Sequence, residues 1–266
     1  MPLTILLHSS KTMVPTTSSR ALTTPVFEAQ ANELTDYLQE LSIDEYQKIM
    51  HISKKLAGEV EDLYLERLEM PATAAVETFR GDIYSGLRSL EWNDTEKDFA
   101  QKHLKILSGL YGVLRPFDGI QPYRLELGYR LPEGPYKNLY TFWSDKVAEA
   151  LPMDGPIINV TSDEYAKVVL PFLDPSRLIT PVFLTRKVAG QEPVFVVVHS
   201  KIARGAYARW VIQRGIPTAD GLEKFDDLGY VYDAERSSPK QPVYVCEQFG
   251  GIGLSQRLTE PIERLK

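Results

Sequence analysis

The sequence predicts an α+β fold, a single compact domain with a mixed sheet flanked by helices. Helix-like and strand-like segments interleave along the 266 residues without a break in composition, which favours one domain over two independent ones. A 43% hydrophobic share supports a sizeable core and is too high for general disorder. The longest apolar runs, 194–198 and 3–7, are strand-sized, far short of the roughly 20 residues that span a bilayer. The domain is expected over 1–248, with 249–266 as a C-terminal tail.

Each element has a local reason. Residues 3–7 form a short apolar run, expected as a buried strand, and a Ser/Thr/Pro-rich loop follows over 9–25. Residues 26–69 are helical, with Leu34, Leu38 and Leu41 at helix spacing. Ser42 with Glu45, and Asn93 with Glu96, have capping-box spacing, in which side chain and carboxylate satisfy each other's orphan amides. The second box predicts a helix to about Leu107, closed by a tight turn over 108–112. Pro116, Pro122, Pro132 and Pro135 then prevent a long helix. Further on, helices are expected at 140–151, at 163–170 behind Ser162, and at 202–213. Strands are expected at 157–160, 230–233 and 243–247. The alternating, β-branched stretches 178–187 and 193–200 read as a hairpin.

Composition narrows the function. Cys246 is the single cysteine, which excludes a disulfide framework or a multi-Cys metal site within the chain. The start has no basic segment before its apolar run, and with the missing membrane run this makes a cytoplasmic location the expectation. The four histidines lie far apart, without a Glu-x-x-His pair, so a carboxylate-bridged iron store is not indicated. No metal site, P-loop or Gly-x-Ser-x-Gly elbow is apparent, and the sequence names no cofactor. Gly250-Gly251-Ile252-Gly253 reads as a flexible turn.

The net charge is −6, unevenly spread. Residues 26–70 carry 11 acids against 4 bases, whereas 101–130 carries five bases against two acids and 201–215 four bases with no acid. Such a chain can hold a positive site on a negative body; solvated faces explain the same letters. Polar clusters beside glycine or a helix start recur: His8–Thr12, Phe79–Tyr84, Leu114–Pro116, Gln121–Arg124, Ser162–Tyr165 and Lys201–Gly205. Helix starts and strand ends expose amides that bind anions, and each cluster taken alone is equally a cap or a loop brace.

In their order these clusters resemble the YaaA family of peroxide-stress proteins. The resemblance rests on Ser10-Lys11-Thr12, on Phe79-Arg80-Gly81-Asp82-Ile83-Tyr84, and above all on Leu107-Ser108-Gly109-Leu110-Tyr111-Gly112-Val113-Leu114-Arg115-Pro116. Gln121-Pro122-Tyr123-Arg124-Leu125-Glu126, Ser162-Asp163-Glu164-Tyr165 and Ala203-Arg204-Gly205 continue it, over about 3–233. Ser9-Ser10 stands where the family usually has Pro-Ala, and Lys201-Ile202 where it often has two lysines. The resemblance implies an α+β fold with a helix-hairpin-helix element, a basic groove that binds DNA, and protection against hydrogen peroxide linked to low free iron.

Two functions follow. In the first, DNA phosphates meet Lys102, Lys105, Gly109, Gly112 and Arg115 in a hairpin, with little sequence specificity; a helix closed by Gly109 explains the same residues. In the second, an enzyme holds a small anionic substrate with Arg80, Arg124, Lys201 and Arg204. Lys11, Asp82, Tyr84, Asp163, Glu164 and Tyr165 then supply the chemistry. Lys11 is a base or nucleophile if desolvated among cations, and an anion clamp if a carboxylate faces it. Lys11, Arg80, Asp82, Arg124, Asp163 and Arg204 are expected in one cleft. No membrane partner is expected, and a monomer is the simpler state.

Overall fold

The computed structural model describes residues 2–131 and 136–250. Strand β1 (Thr4–His8) is followed by the short β2 (Thr12–Met13) and, after the Ser/Thr/Pro loop, by helices α1 (Glu28–Gln39), α2 (Ile43–Met50) and α3 (Lys54–Glu66). The Ser42–Glu45 capping box is formed at the start of α2. Short pieces follow: β3 (Thr73–Ala74), α4 (Ala75–Thr78), β4 (Phe79–Arg80) and α5 (Asp82–Leu87). Asn93 and Glu96 form the second capping box, which opens α6 (Asp94–His103).

The chain passes from α6 straight into β5 (Leu104–Ser108), turns, and returns as β6 (Gly112–Leu114) and β7 (Gly119–Ile120). Helices α7 (Leu139–Trp143) and α8 (Lys146–Glu149) lead to β8 (Ile157–Asn159) and α9 (Asp163–Ala166). Then come β9 (Leu178–Ile179), β10 (Val182–Thr185), the long α10 (Val197–Gln213), β11 (Tyr230–Tyr232) and β12 (Val243–Cys246).

The main sheet has the order β6-β5-β1-β8-β9. Strand β1 pairs parallel with β5 on one side and with β8 on the other, β8 with β9 in parallel, and β6 antiparallel with β5. Ile5, Leu6 and Leu7 are fully buried, as befits a central parallel strand covered on both faces. A second sheet, β10-β12-β11, packs around Phe183, Tyr207, Phe225, Tyr230 and Tyr244, whose rings meet mostly edge to face. Both sheets mix parallel and antiparallel pairs, so the α+β expectation holds.

One helix crossing governs the site. A Cβ on Gly86 of α5 would lie 2.0 Å from the Ile202 carbonyl oxygen of α10, and one on Gly205 of α10 would lie 1.8 Å from the Ile83 carbonyl oxygen of α5. Glycine at both positions lets the two backbones touch, which sets the start of α5 beside the first turns of α10.

Several expectations are corrected. The helix from Asn93 stops at His103, and residues 104–108 are a strand. The 108–112 turn therefore joins two antiparallel strands, and no helix-hairpin-helix is formed there. The expected 140–151 helix breaks at Ser144, whose φ of 47° lies in the left-handed region. That expected for 163–170 ends at Ala166. Residues 178–187 form two strands in different sheets, parted at Thr180-Pro181. Residues 193–200 contribute a single bridge, Thr185 to Val194, before α10 begins at Val197. At the other end of the chain, Phe249 stacks on His199 at 3.9 Å between ring centres and the Gly250 amide donates to the Leu228 carbonyl. Gly251-Ile252-Gly253 and the rest of the expected tail lie outside the described residues.

Candidate functional site

Ligands of open parallel sheets settle beyond the carboxyl ends of the strands, where neighbouring connections diverge. Here that place is the end of β1, because the chain leaves β1 toward β5 on one side and later adds β8 on the other. A cleft of about 380 Å³ lies there. His8, Ser9, Ser10 and Lys11 enter it from the end of β1, and Ser162, Glu164 and Tyr165 from the end of β8. Gly81, Asp82 and Ile83 come from the start of α5, Lys201 and Arg204 from α10, and Glu126 from the loop after β7. Pairing of Thr12 with Arg80 between β2 and β4 ties the Lys11 loop to the Gly81–Asp82 turn. Gly81 has φ of 122° and sits under the Ser10 hydroxyl, so a side chain there would strain the rim.

The floor is a braced set of hydrogen bonds. The Tyr84 hydroxyl donates to the His8 carbonyl at 2.9 Å, and the Ser9 amide to the Leu107 carbonyl at 2.8 Å. The Ser9 and Tyr165 hydroxyls lie 3.1 Å apart. The His8 ring stacks on Tyr165 with centres 4.9 Å apart, and its Nδ1 donates to the Ser9 carbonyl at 2.8 Å. That bond fixes the tautomer and leaves Nε2 an acceptor. Burial, with the charges of Arg204 and Lys201 adding to it, pushes the His8 pKa down to about 4, so the ring is neutral at physiological pH.

Glu126 moves the other way. Burial chiefly, and the charge of Glu164, raise its pKa, while Lys11, the Tyr165 hydroxyl and Arg124 oppose the rise. A carboxyl held toward its protonated form beside a cation is suited to giving and taking a proton. Lys11 Nζ lies 3.9 Å from the Glu126 carboxylate, with the lysine side chain 52% exposed and that of Glu126 14%. Glu164 Oε1 accepts from the Gly128 amide at 2.8 Å. Arg204 is largely desolvated, and that lowers its pKa despite the opposing charge of Asp163. Burial raises Tyr165 well above the ordinary phenol range, so at neutral pH its hydroxyl is protonated.

Of the residues singled out in the sequence, Lys11, Asp82, Glu164, Tyr165, Lys201 and Arg204 share this cleft. Tyr84 lies beneath it, bracing β1. Arg80 is turned onto its own chain, donating to the Glu77 and Phe79 carbonyls at 2.7 and 3.0 Å. Asp163 and Arg124 influence Arg204 and Glu126 without lining the cavity. The expected convergence of six charged residues thus holds for Lys11, Asp82 and Arg204, and not for Arg80, Arg124 and Asp163. His8, Ser9 and Glu126 are lining residues absent from the sequence-based set. Only their place in the motifs around Lys11 and Arg124 pointed to them.

The DNA-contact set expected from the sequence lies away from this cleft. Gly109 and Gly112 are buried; a Cβ on Gly109 would meet the Leu125 carbonyl oxygen at 2.3 Å, and one on Gly112 the Trp143 ring at 2.8 Å. Trp143 Nε1 donates to the Gly109 carbonyl at 2.9 Å, sealing the turn. Arg115 is held by Asp118 and by the Thr24 carbonyl, and Lys105 is partly buried with its ammonium on the Lys102 carbonyl. Lys102 alone of the three cations is well exposed.

Residues 3–236 match the family described as peroxide stress protein YaaA. The chain belongs to that family. A UPF0246 protein of Salinispora tropica is 46% identical over 256 residues, covering 95% of this chain and 97% of its own length. UPF0246 proteins of Ruegeria sp. TM1040 and Roseobacter denitrificans are 42% and 40% identical, over 85% and 84% of this chain. Among the described residues no helix is long and apolar enough to cross a membrane.

Proposed function

We propose that this member of the peroxide-stress family works through the cleft at the end of β1, which binds a small molecule bearing an anionic group and performs acid–base chemistry on it. The observation that carries the reading is the placement of Lys201 and Arg204, from one helix, beside a neutral His8 and a raised Glu126 at the carboxyl edge of a parallel sheet. Arg204 and Lys201 seat the anion; Glu126 moves the proton; Tyr165 and Ser9 hold the floor. Protection against peroxide then comes from the product or from removal of the bound molecule, and any lowering of free iron is indirect.

Duplex DNA is the less favoured partner. Its expected hairpin is a buried β-turn, and a polyanion entering the cleft would meet Asp82, Glu126 and Glu164. The test pairs Lys201→Gln/Arg204→Gln with a Lys102→Gln/Lys105→Gln control. The expected result is that the first pair loses peroxide protection in cells and thermal stabilisation by methyl phosphate, while the control keeps both. Protection lost only in the control would overturn the reading.

A further inference from the structure

The balance of charge in the cleft says more about its occupant than the cations alone. Three cations (Lys11, Lys201, Arg204) and three carboxylates (Asp82, Glu126, Glu164) share one lining. A polyanion would gain from three of these charges and lose to the other three, and in a partly desolvated cavity a like-charge contact is costly. The charges are also sorted. Lys201 and Arg204 both enter from α10, whereas Glu126 comes from the loop after β7 and Glu164 from the end of β8. Glu126 responds to Glu164, Lys11 and Arg124. The α10 end, with two cations against Asp82 at the adjoining start of α5, is therefore a net positive pole. The Glu126–Glu164 end is an anionic one, with Lys11 offsetting one of its two carboxylates from a half-exposed position at the rim.

Glu126 is the more informative of the two acids. It is nearly buried, feels the charge of Glu164 and is helped by the Tyr165 hydroxyl, and among the described residues its one ion-pair contact is at the long distance of 3.9 Å. A buried carboxylate without a close cation is costly, and a ligand ammonium seated there would relieve both its burial and its repulsion from Glu164. Resting on the anion-binding reading of the same cleft, we propose that the ligand is a small zwitterion. Its anionic group lies between Lys201 and Arg204, and its protonated amine lies against Glu126 and Glu164.

Two matched sets of probes separate this proposal from the reading beneath it. O-phosphoethanolamine is compared with methyl phosphate and ethanolamine, and 4-aminobutyrate with butyrate and butylamine, by calorimetry on the full chain. The expected result is that in at least one set the zwitterion binds about tenfold more tightly than either single-charge analogue. Glu126→Gln, which keeps shape, should abolish the zwitterion's advantage, so that zwitterion and anion bind alike. Arg204→Gln should weaken zwitterion and anion alike, and melting curves of both variants establish that they fold. Anions that bind as tightly as their zwitterions overturn the proposal and leave an anion-binding cleft standing. Zwitterion binding indifferent to Glu126→Gln overturns the assigned seat. Absence of binding by every probe removes the anion-binding reading as well.

Discussion

The loop after β1 and the turn between β5 and β6 use similar letters for opposite ends. Each follows a buried parallel strand, and each has basic residues close in sequence. At residues 9–11 the chain opens onto a cavity shared with α5, α10 and the end of β8. At 108–112 it is closed over by Trp143 and Leu125. Of its nearby cations, Arg115 and Lys105 are committed to Asp118 and to main-chain carbonyls. A turn that follows a buried strand, with cations close in sequence, thus becomes a site or a seal according to what packs over it. A ligand is expected at the first place. At the second, the protein's own side chains already fill the role.

The sharpest way to break this comparison is to put a methyl group in the seal. Gly109→Ala drives a Cβ into the Leu125 carbonyl and should cost about 3 kcal/mol or more in urea denaturation. Gly58→Ala, where a Cβ meets open space within α3, should instead stabilise by about 0.5–1 kcal/mol. A Gly109→Ala protein as stable as the parent would mean that the turn is open, and the DNA-hairpin reading would return.

How legible this was from sequence varied with the range of the interactions. The two capping boxes are legible in the sequence because every atom involved lies within four residues. Residues 104–107 extend the helix expected from Asn93, because Leu104, Ile106 and Leu107 give a short apolar run with no decisive period. Pairing with β1 is what makes them a strand. The valines at 196–198 favour extended backbone by propensity, yet α10 begins at Val197. Packing of that helix against α5 through Gly86 and Gly205 outweighs the local preference. Within the site, Lys11, Asp82 and Arg204 were legible as polar residues at element ends. Nothing local marks Glu126, since its altered proton affinity comes from burial and from Glu164, which is distant in sequence.

A second test reads the cleft's field by pH. His8 is protonated in the unfolded chain below about 6.5 but in the native state only near 4, because burial and the facing charges of Arg204 and Lys201 outweigh the Ser9 carbonyl. Over that window the unfolded state holds more protons, so stability falls as pH drops. Relative to His8→Gln, the parent should lose roughly 2–3 kcal/mol between pH 6.5 and 4. Glu126 acts in the opposite sense, since its raised pKa makes the native state the stronger proton binder above the usual carboxylate range. The difference between the two proteins isolates His8. Parallel stability–pH curves would show that His8 is neither desolvated nor opposed by the cations of α10.

Removing one cation of the α10 pair sharpens the contrast at a smaller scale. Arg204→Gln should weaken methyl phosphate binding about tenfold, near 1.4 kcal/mol, whereas Arg115→Gln beside the sealed turn should change it by less than about twofold. Equal losses in the two variants would mean that the anion is drawn by the general field of the protein rather than seated in the cleft.

Lys11 gives the smallest expected effect and decides what kind of residue it is. The sequence allowed a desolvated base or nucleophile, or a plain charge. The side chain is half exposed and faces Glu126 at 3.9 Å, which is the arrangement of a charge. Lys11→Arg keeps the cation but cannot deprotonate in a protein, so it should retain peroxide protection and probe binding within about twofold. Lys11→Ala should lose a modest part of each. If Lys11→Arg instead abolishes protection while the protein folds and binds the probes normally, the lysine must lose its proton during turnover. Lys11 would then be the nucleophile or base, and Glu126 a partner that takes the proton from it.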